Sequence, residues 1–312
     1  MSLAISTTTP EGIILAAESR QSYRNSKGMA RVGSDSASKV FQISKNVGIA
    51  VTGIAFLPEE GILKNLGYFI DRFKEENAKA LQGWKVQEVA NNLLDYLSKH
   101  YDYEKARKEV EKQIEHQVKG QGWRGLNFKP WKGSILEFSF LDPKGNPGTG
   151  TGSIEVISFL VAGFDNNRKQ KVFIGTIPGG LELKRDGDSK GKEFGADWIG
   201  QTDVVSRIVL GFDPRIGNVP FIKGALKKDE ETVIQQLKGL EYVIQWGTMT
   251  LQDGVDFSTL VIKTTEAMQR FSDGIIMNQG DMPGVGGEID IALITGKDGF
   301  AWLKQKEIKY NE

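Results

Sequence analysis

A chain of 312 residues, 39% of them hydrophobic, is long enough to bury roughly three-quarters of its unfolded surface in one large domain or two ordinary ones. Lysine plus arginine and aspartate plus glutamate each number 40, and a zero net charge argues against a nucleic-acid or membrane-surface partner while leaving self-association electrostatically permitted. The absence of cysteine excludes disulfides, thiolate metal sites and a cysteine nucleophile.

In chain order, Leu3–Thr7 and Gly12–Glu18 are apolar runs separated by Thr8-Thr9-Pro10-Glu11, which predicts a β-hairpin. Gln21–Ser38 is rich in serine, glycine and arginine and reads as a loop. Lys39–Ser44 and Val47–Ile54, joined by Lys45-Asn46, predict a second hairpin. Glu59–Glu76 and Val86–Tyr101 carry apolar residues at helical spacing, and Tyr103–Lys119 continues as a charged, solvated helix. Gly120–Gly152, with one strand candidate at Ser134–Leu141, reads as a surface excursion. Its Gly148–Gly152 run (GTGTG) is expected to be loop, because it opens no helix and lacks a phosphate-binding lysine. Strands are expected again at Glu155–Gly163 and Lys171–Ile177, and helices at Gly200–Leu210, Asp229–Gln245 and Leu251–Arg270. Glu288–Thr295 and Phe300–Leu303 close the chain as a last hairpin.

Tight turns between strands predict antiparallel sheets with helices packed on them in layers, and strict βαβ alternation is missing. The two histidines, His100 and His116, sit in polar helical sequence away from any serine-bearing turn, so a Ser-His-Asp triad is not expected. No apolar run approaches the roughly 20 residues that span a bilayer, and the N-terminus lacks a signal pattern, so a cytoplasmic location with no membrane partner is expected.

The run IILAAESRQS followed by SDSASKVFQISKNVGIAVTGI resembles the first two hairpins of proteasome β subunits. The segments ISFLVAGFDNNRKQKVFIGTIPGG, MTLQDGVDFSTLVIKTTEAMQR and GGEIDIALITGKDGFAWL are similar to that family's middle hairpin, last long helix and final hairpin. The resemblance covers about two-thirds of the chain; Tyr103–Gly152 and much of Lys184–Lys227 have no counterpart. It implies an α+β fold of the N-terminal-nucleophile hydrolase type, a four-layer αββα sandwich of two mainly antiparallel sheets flanked by helices. Residues 1–312 would then form one domain, with an insertion at about 103–152.

In such hydrolases the hydroxyl of the first residue of the mature chain is the nucleophile and that residue's own α-amine is the base. A free α-amine has a pKa of about 7.7–8.0, against about 10.4 for lysine, so near pH 7 it is neutral often enough to take a proton. A nearby lysine stabilises the developing alkoxide, a carboxylate keeps it oriented, and a glycine N–H receives the oxyanion. The resemblance assigns these roles to Ser2, Lys39, Glu18 and Gly53, with Arg20 and Ser22 on the arginine and hydroxyl positions that follow the acidic residue. The alternative start Thr7-Thr8-Thr9 would remove the first strand and bring Glu18 too close. No propeptide precedes Ser2, so activation is expected to rest on removal of Met1.

The resemblance fails at three positions. Met282 and Val285 stand where the family has an aspartate and a serine before Gly286-Gly287, and Gln201 replaces a serine; Asp281 or Asp273 is the candidate substitute for the lost carboxylate. The functions implied are therefore hydrolysis of peptides or small amides, without cofactor or metal, by a homo-oligomer, or else a non-catalytic assembly subunit of the same shape. The insertions at 103–152 and 271–282 are expected to rim any pocket.

Overall fold

The computed structural model describes residues 2–24, 29–272 and 282–307. Strands β1 (Leu3–Thr9) and β2 (Gly12–Glu18) form the first hairpin about Pro10-Glu11. The stretch expected as loop contains a short hairpin of its own, β3 (Gln21–Arg24) with β4 (Ala30–Ser34). Next come β5 (Val40–Gln42) and β6 (Val47–Gly53), paired as expected.

The helix expected from Glu59 starts later. Residues 56–65 instead form the hairpin β7 (Phe56–Glu59) and β8 (Ile62–Asn65), because Glu60 and Gly61 both adopt positive φ, 50° and 80°, the two-residue turn that matches strand twist. Helix α1 (Leu66–Glu76) begins only where the Asn65 side chain accepts the Tyr68 N–H at 2.9 Å. Ile62 and Leu63, assigned by periodicity to the apolar stripe of the helix, are exposed on the hairpin.

Helices α2 (Val86–His100) and α3 (Tyr103–Gly120) lead into β9 (Arg124–Phe128), β10 (Ile135–Leu141) and β11 (Pro147–Ser153), a separate three-stranded sheet in the order β11-β10-β9. The GTGTG run is thus strand, not loop. Its glycines leave room for rings on β10: a Cβ on Gly148 would meet Phe140, and one on Gly150 would meet Phe138. This sheet and α3 share a small core of Ile114, Val118, Leu136 and Phe138.

Beyond it lie β12 (Ile157–Phe164) and β13 (Gln170–Ile177), then β14 (Leu181–Asp186) and β15 (Gly195–Gly200), the last two not anticipated. Helices α4 (Asp203–Leu210), α5 (Pro220–Lys228) and α6 (Glu230–Lys238) follow; α6 is shorter than expected and α5 was missed. The long α7 (Leu251–Phe271) precedes the closing hairpin of β16 (Ile289–Thr295) and β17 (Gly299–Lys304).

The main framework is therefore mixed α and β, with two five-stranded antiparallel sheets ordered β15-β1-β2-β16-β17 and β14-β13-β12-β6-β5. Strand alternation sorts their side chains. Ile13, Leu15 and Ala17 of β2 enter one core with Ala50 and Leu160 of the other sheet, whereas Ile14 and Ala16 enter another with Val261 and Ile262 of α7. A third core joins Ile49, Phe159 and Val161 to Phe69 of α1 and Leu93 of α2. Because β2 is covered on both faces, all seven of its residues are buried, which explains why it reads as a continuous apolar run. Helix α7 sits close on β1 and β2: Gly254 lies against Ile14, and Ser258 Oγ shares a 2.9 Å hydrogen bond with Thr7 Oγ1.

Candidate active site

Both first hairpins open toward the same end of the framework. Ser2 precedes β1 and Glu18 ends β2, so the antiparallel pairing puts them side by side; Lys39 precedes β5 and Gly53 ends β6. The Val51 N–H donates to the Lys39 carbonyl at 2.9 Å, which fixes the lysine backbone against β6.

Four of the five residues named from the sequence meet here. The Lys39 ammonium donates to Ser2 Oγ at 2.8 Å, to Glu18 Oε1 and to the Arg20 carbonyl. Glu18 also accepts three backbone N–H groups: Leu3 at 3.2 Å, Arg20 at 2.6 Å and Gly286 at 3.2 Å. Ser2, Glu18 and Lys39 are all buried. Burial pushes the Glu18 carboxyl above its ordinary range, and the Lys39 charge and the N–H donors pull it back. Burial likewise lowers the Lys39 ammonium, which Glu18 holds up and Lys306 and Arg20 push down further.

Gly53 has φ 96°, and a Cβ there would fall on the Val156 carbonyl oxygen, so only glycine fits this close approach. Strand alternation turns its N–H to the side on which Val51 meets Lys39. Ser2, Lys39, Thr52 and Gly53 line one wall of a cleft of about 440 Å³ that also takes in Ser22, Asn65 and Asp71. Asp281, the fifth named residue, and Asp273 lie outside the described residues. Thr7, Thr8 and Thr9 are buried inside β1 between two paired strands.

Arg20 forms a two-pronged ion pair with Asp35, Nε to Oδ1 at 2.7 Å and Nη2 to Oδ2 at 3.2 Å, and its Nη1 donates to the Pro283 carbonyl at 3.3 Å. This pair raises the Arg20 guanidinium and lowers the Asp35 carboxyl. Gly286 lies under the guanidinium, where a Cβ would come within 2.6 Å of Arg20 Cζ, and its carbonyl accepts the Ser19 and Arg20 N–H groups. Gly287 has φ 81°, which accounts for the second glycine.

The positions where the resemblance failed have their own structure. The Gln201 N–H donates to the Ser2 carbonyl at 2.6 Å, and the Gln201 side chain accepts from Gln269 Nε2. Gln269 Oε1 in turn accepts the Gly284 and Val285 N–H groups, both at 2.9 Å. The Val285 side chain is fully buried beside Leu3 and α7. Gln269 and Asp35 were not found by sequence reasoning; a glutamine near a helix end and an aspartate in a serine-rich loop carry no pattern that marks them.

No family model matches the chain, and no curated protein does. Among solved structures it is similar to one described as the Anbu (Gly-1) mutant from Hyphomicrobium sp. strain MC1, at 10% identity and a TM-score of 0.48, over 98% of this chain and 86% of that one. At that identity and TM-score the likeness decides neither fold nor chemistry. Among the described residues, no helix is long and apolar enough to cross a membrane.

Proposed function

We propose that the chain is an N-terminal-nucleophile hydrolase of peptide or amide bonds, with Ser2 as nucleophile. The observation that carries this reading is the buried Lys39 ammonium, held by Glu18 and donating to the Ser2 hydroxyl at 2.8 Å on the wall of an open cleft. A buried lysine costs free energy, and aiming it at a serine hydroxyl gives it a chemical use.

With Met1 removed, the Ser2 α-amine becomes the base on the same residue as the hydroxyl. As Ser2 Oγ bonds to the substrate carbonyl carbon, its proton passes to the amine and the carbonyl electron pair moves to oxygen, toward the Gly53 N–H. Lys39 stabilises the negative charge building on Oγ and, by its own charge, favours the neutral amine. Collapse of the adduct breaks the C–N bond, and the leaving nitrogen takes the proton from the Ser2 ammonium. Water then adds to the ester under the same base, releasing the acid and restoring the Ser2 hydroxyl.

In the same reading the two sheets are the inner layers of an αββα sandwich, with α1 and α2 outside one and α4 and α7 outside the other; the shared cores support that order. Residues 1–312 form one domain into which 103–152 is inserted, and the protein is a cytoplasmic homo-oligomer. A second reading, a non-catalytic subunit of this shape, is favoured by Val285, whose buried apolar side chain offers nothing to hold an amine.

The test is the N-terminal sequence and intact mass of chain expressed from its natural reading frame, followed by hydrolysis of a fluorogenic peptide panel. A chain beginning at Ser2 that cleaves, with cleavage lost in Lys39→Ala, supports the hydrolase. Retention of Met1, or cleavage untouched by Lys39→Ala, removes it.

A further inference from the structure

We infer that Gln201 and Gln269 form a neutral amide clamp that positions Ser2, an inference that rests on the hydrolase reading. One end of the clamp is the Gln201 N–H on the Ser2 carbonyl at 2.6 Å. Gly200, at φ 94°, lets the backbone come this close: a Cβ there would fall on the Ser2 carbonyl oxygen. The other end is Gln269 Oε1, which gathers the N–H groups of Gly284 and Val285 at 2.9 Å each. Between them Gln269 Nε2 donates to Gln201 Oε1.

The clamp thus joins three parts of the chain around one residue: the link between β15 and α4, the last turn of α7 and the segment leading into β16. That segment is held from its other side as well, because Gly286 donates to Glu18 at 3.2 Å and Pro283 accepts from Arg20 at 3.3 Å. Ser2 is therefore fixed at its hydroxyl by Lys39 and at its carbonyl by Gln201, which leaves its amine direction determined. Gln201 and Gln269 are positioning residues, since they act through Ser2.

A clamp of amides holds the residue without adding charge. Among the described residues, the charged groups around Ser2 are Glu18 and Lys39, with Arg20 paired to Asp35, Glu266 of α7 acting on Arg20, and Lys306 paired to Asp290. The clamp itself brings no carboxylate to the amine, whereas a carboxylate in place of the Gln201 amide would favour the amine's charged form.

The experiment uses full-length chain with a verified Ser2 terminus and two variants. Gln269→Leu cuts the clamp; Gln201→Glu keeps an acceptor for Gln269 Nε2 and adds a negative charge. Two readouts are taken across pH: the rate of Ser2 amine acetylation by acetic anhydride, located by peptide mass mapping, and kcat and KM for a fluorogenic peptide. The expected result is a kcat reduced about 10-fold or more in Gln269→Leu with KM nearly unchanged. In Gln201→Glu, the acetylation midpoint rises by about one pH unit or more. Wild-type midpoints and kcat in both variants would overturn the clamp. If no chain hydrolyses peptide but the Gln201→Glu midpoint still rises, the clamp stands and the hydrolase reading falls.

Discussion

Lys39 Nζ lies 2.8 Å from Ser2 Oγ, with both residues buried, and the same ammonium binds the Glu18 carboxylate. An ordinary structural ion pair would be complete without the serine. Here the third donor hydrogen is aimed at a hydroxyl on a cleft wall, and Glu18 is satisfied independently by three backbone N–H groups. The carboxylate is locked to the strand ends, and the lysine is locked to the carboxylate.

Removing one member of that pair leaves the other as an uncompensated buried charge. Lys39→Met and Glu18→Gln are each expected to cost about 3–5 kcal/mol in urea unfolding, and the double variant less than the sum. The pH dependence follows for Lys39→Met. Glu18, deprived of its cation, has a folded pKa above its ordinary 4.5, so the folded chain holds that proton more tightly than the unfolded one. The deficit is then smallest below about pH 4.5, grows as pH rises through the folded pKa, and levels off above it. A deficit that shrinks with rising pH would contradict this account.

Gly53→Ala combines a left-handed backbone with a collision on the Val156 carbonyl. Backbone strain of this kind costs about 1–3 kcal/mol, and the collision adds to it. Denaturant midpoints should fall accordingly, whereas Gly61→Ala, also at positive φ but in open space, should lose less.

Gly286→Ala places a methyl group against the Arg20 guanidinium. Overpacking costs about 1–3 kcal/mol, and displacement of Arg20 also releases Asp35. Because Arg20 holds the Asp35 carboxyl below its ordinary 3.8, the wild-type stabilisation is present above that value and lost as pH falls through the folded pKa. The gap between wild type and variant should therefore narrow in acid, as measured by thermal unfolding from pH 5 to pH 2.

The small core of α3 with β9, β10 and β11 is built separately from the other three. Gly150→Val, which drives side-chain atoms into Phe138, should raise hydrogen exchange in β9–β11 while leaving β1, β2, β6 and β12 protected. Loss of protection throughout would show that the two parts unfold together.

How much of this was legible in sequence varies by element. The first two hairpins, α2, α7 and the closing hairpin were readable because their apolar pattern is dictated by covered faces. The Ile62-Leu63 pair misled the reading of α1, since a helical spacing was overridden by the turn chemistry of Glu60-Gly61. The GTGTG strand was invisible because its glycines carry no hydrophobic signal; their role is to make room for rings on the neighbouring strand. In the site, Ser2, Glu18, Lys39 and Gly53 were assigned through the family resemblance of the runs that form the first two hairpins, and they fall at strand ends. The Gln201–Gln269 contact joins residues 68 apart in sequence and is created only by the packing of α7 against α4, so no local pattern records it.

The most direct measurement is covalent capture with a peptide α′,β′-epoxyketone, whose ketone takes a hydroxyl and whose epoxide takes the amine of the same residue, followed by peptide mass mapping. A single adduct on Ser2 in the chain lacking Met1, absent from Lys39→Ala, is the expected result. An adduct on another residue, or none on a chain whose Ser2 terminus is verified, would contradict the assignment of Ser2 as nucleophile.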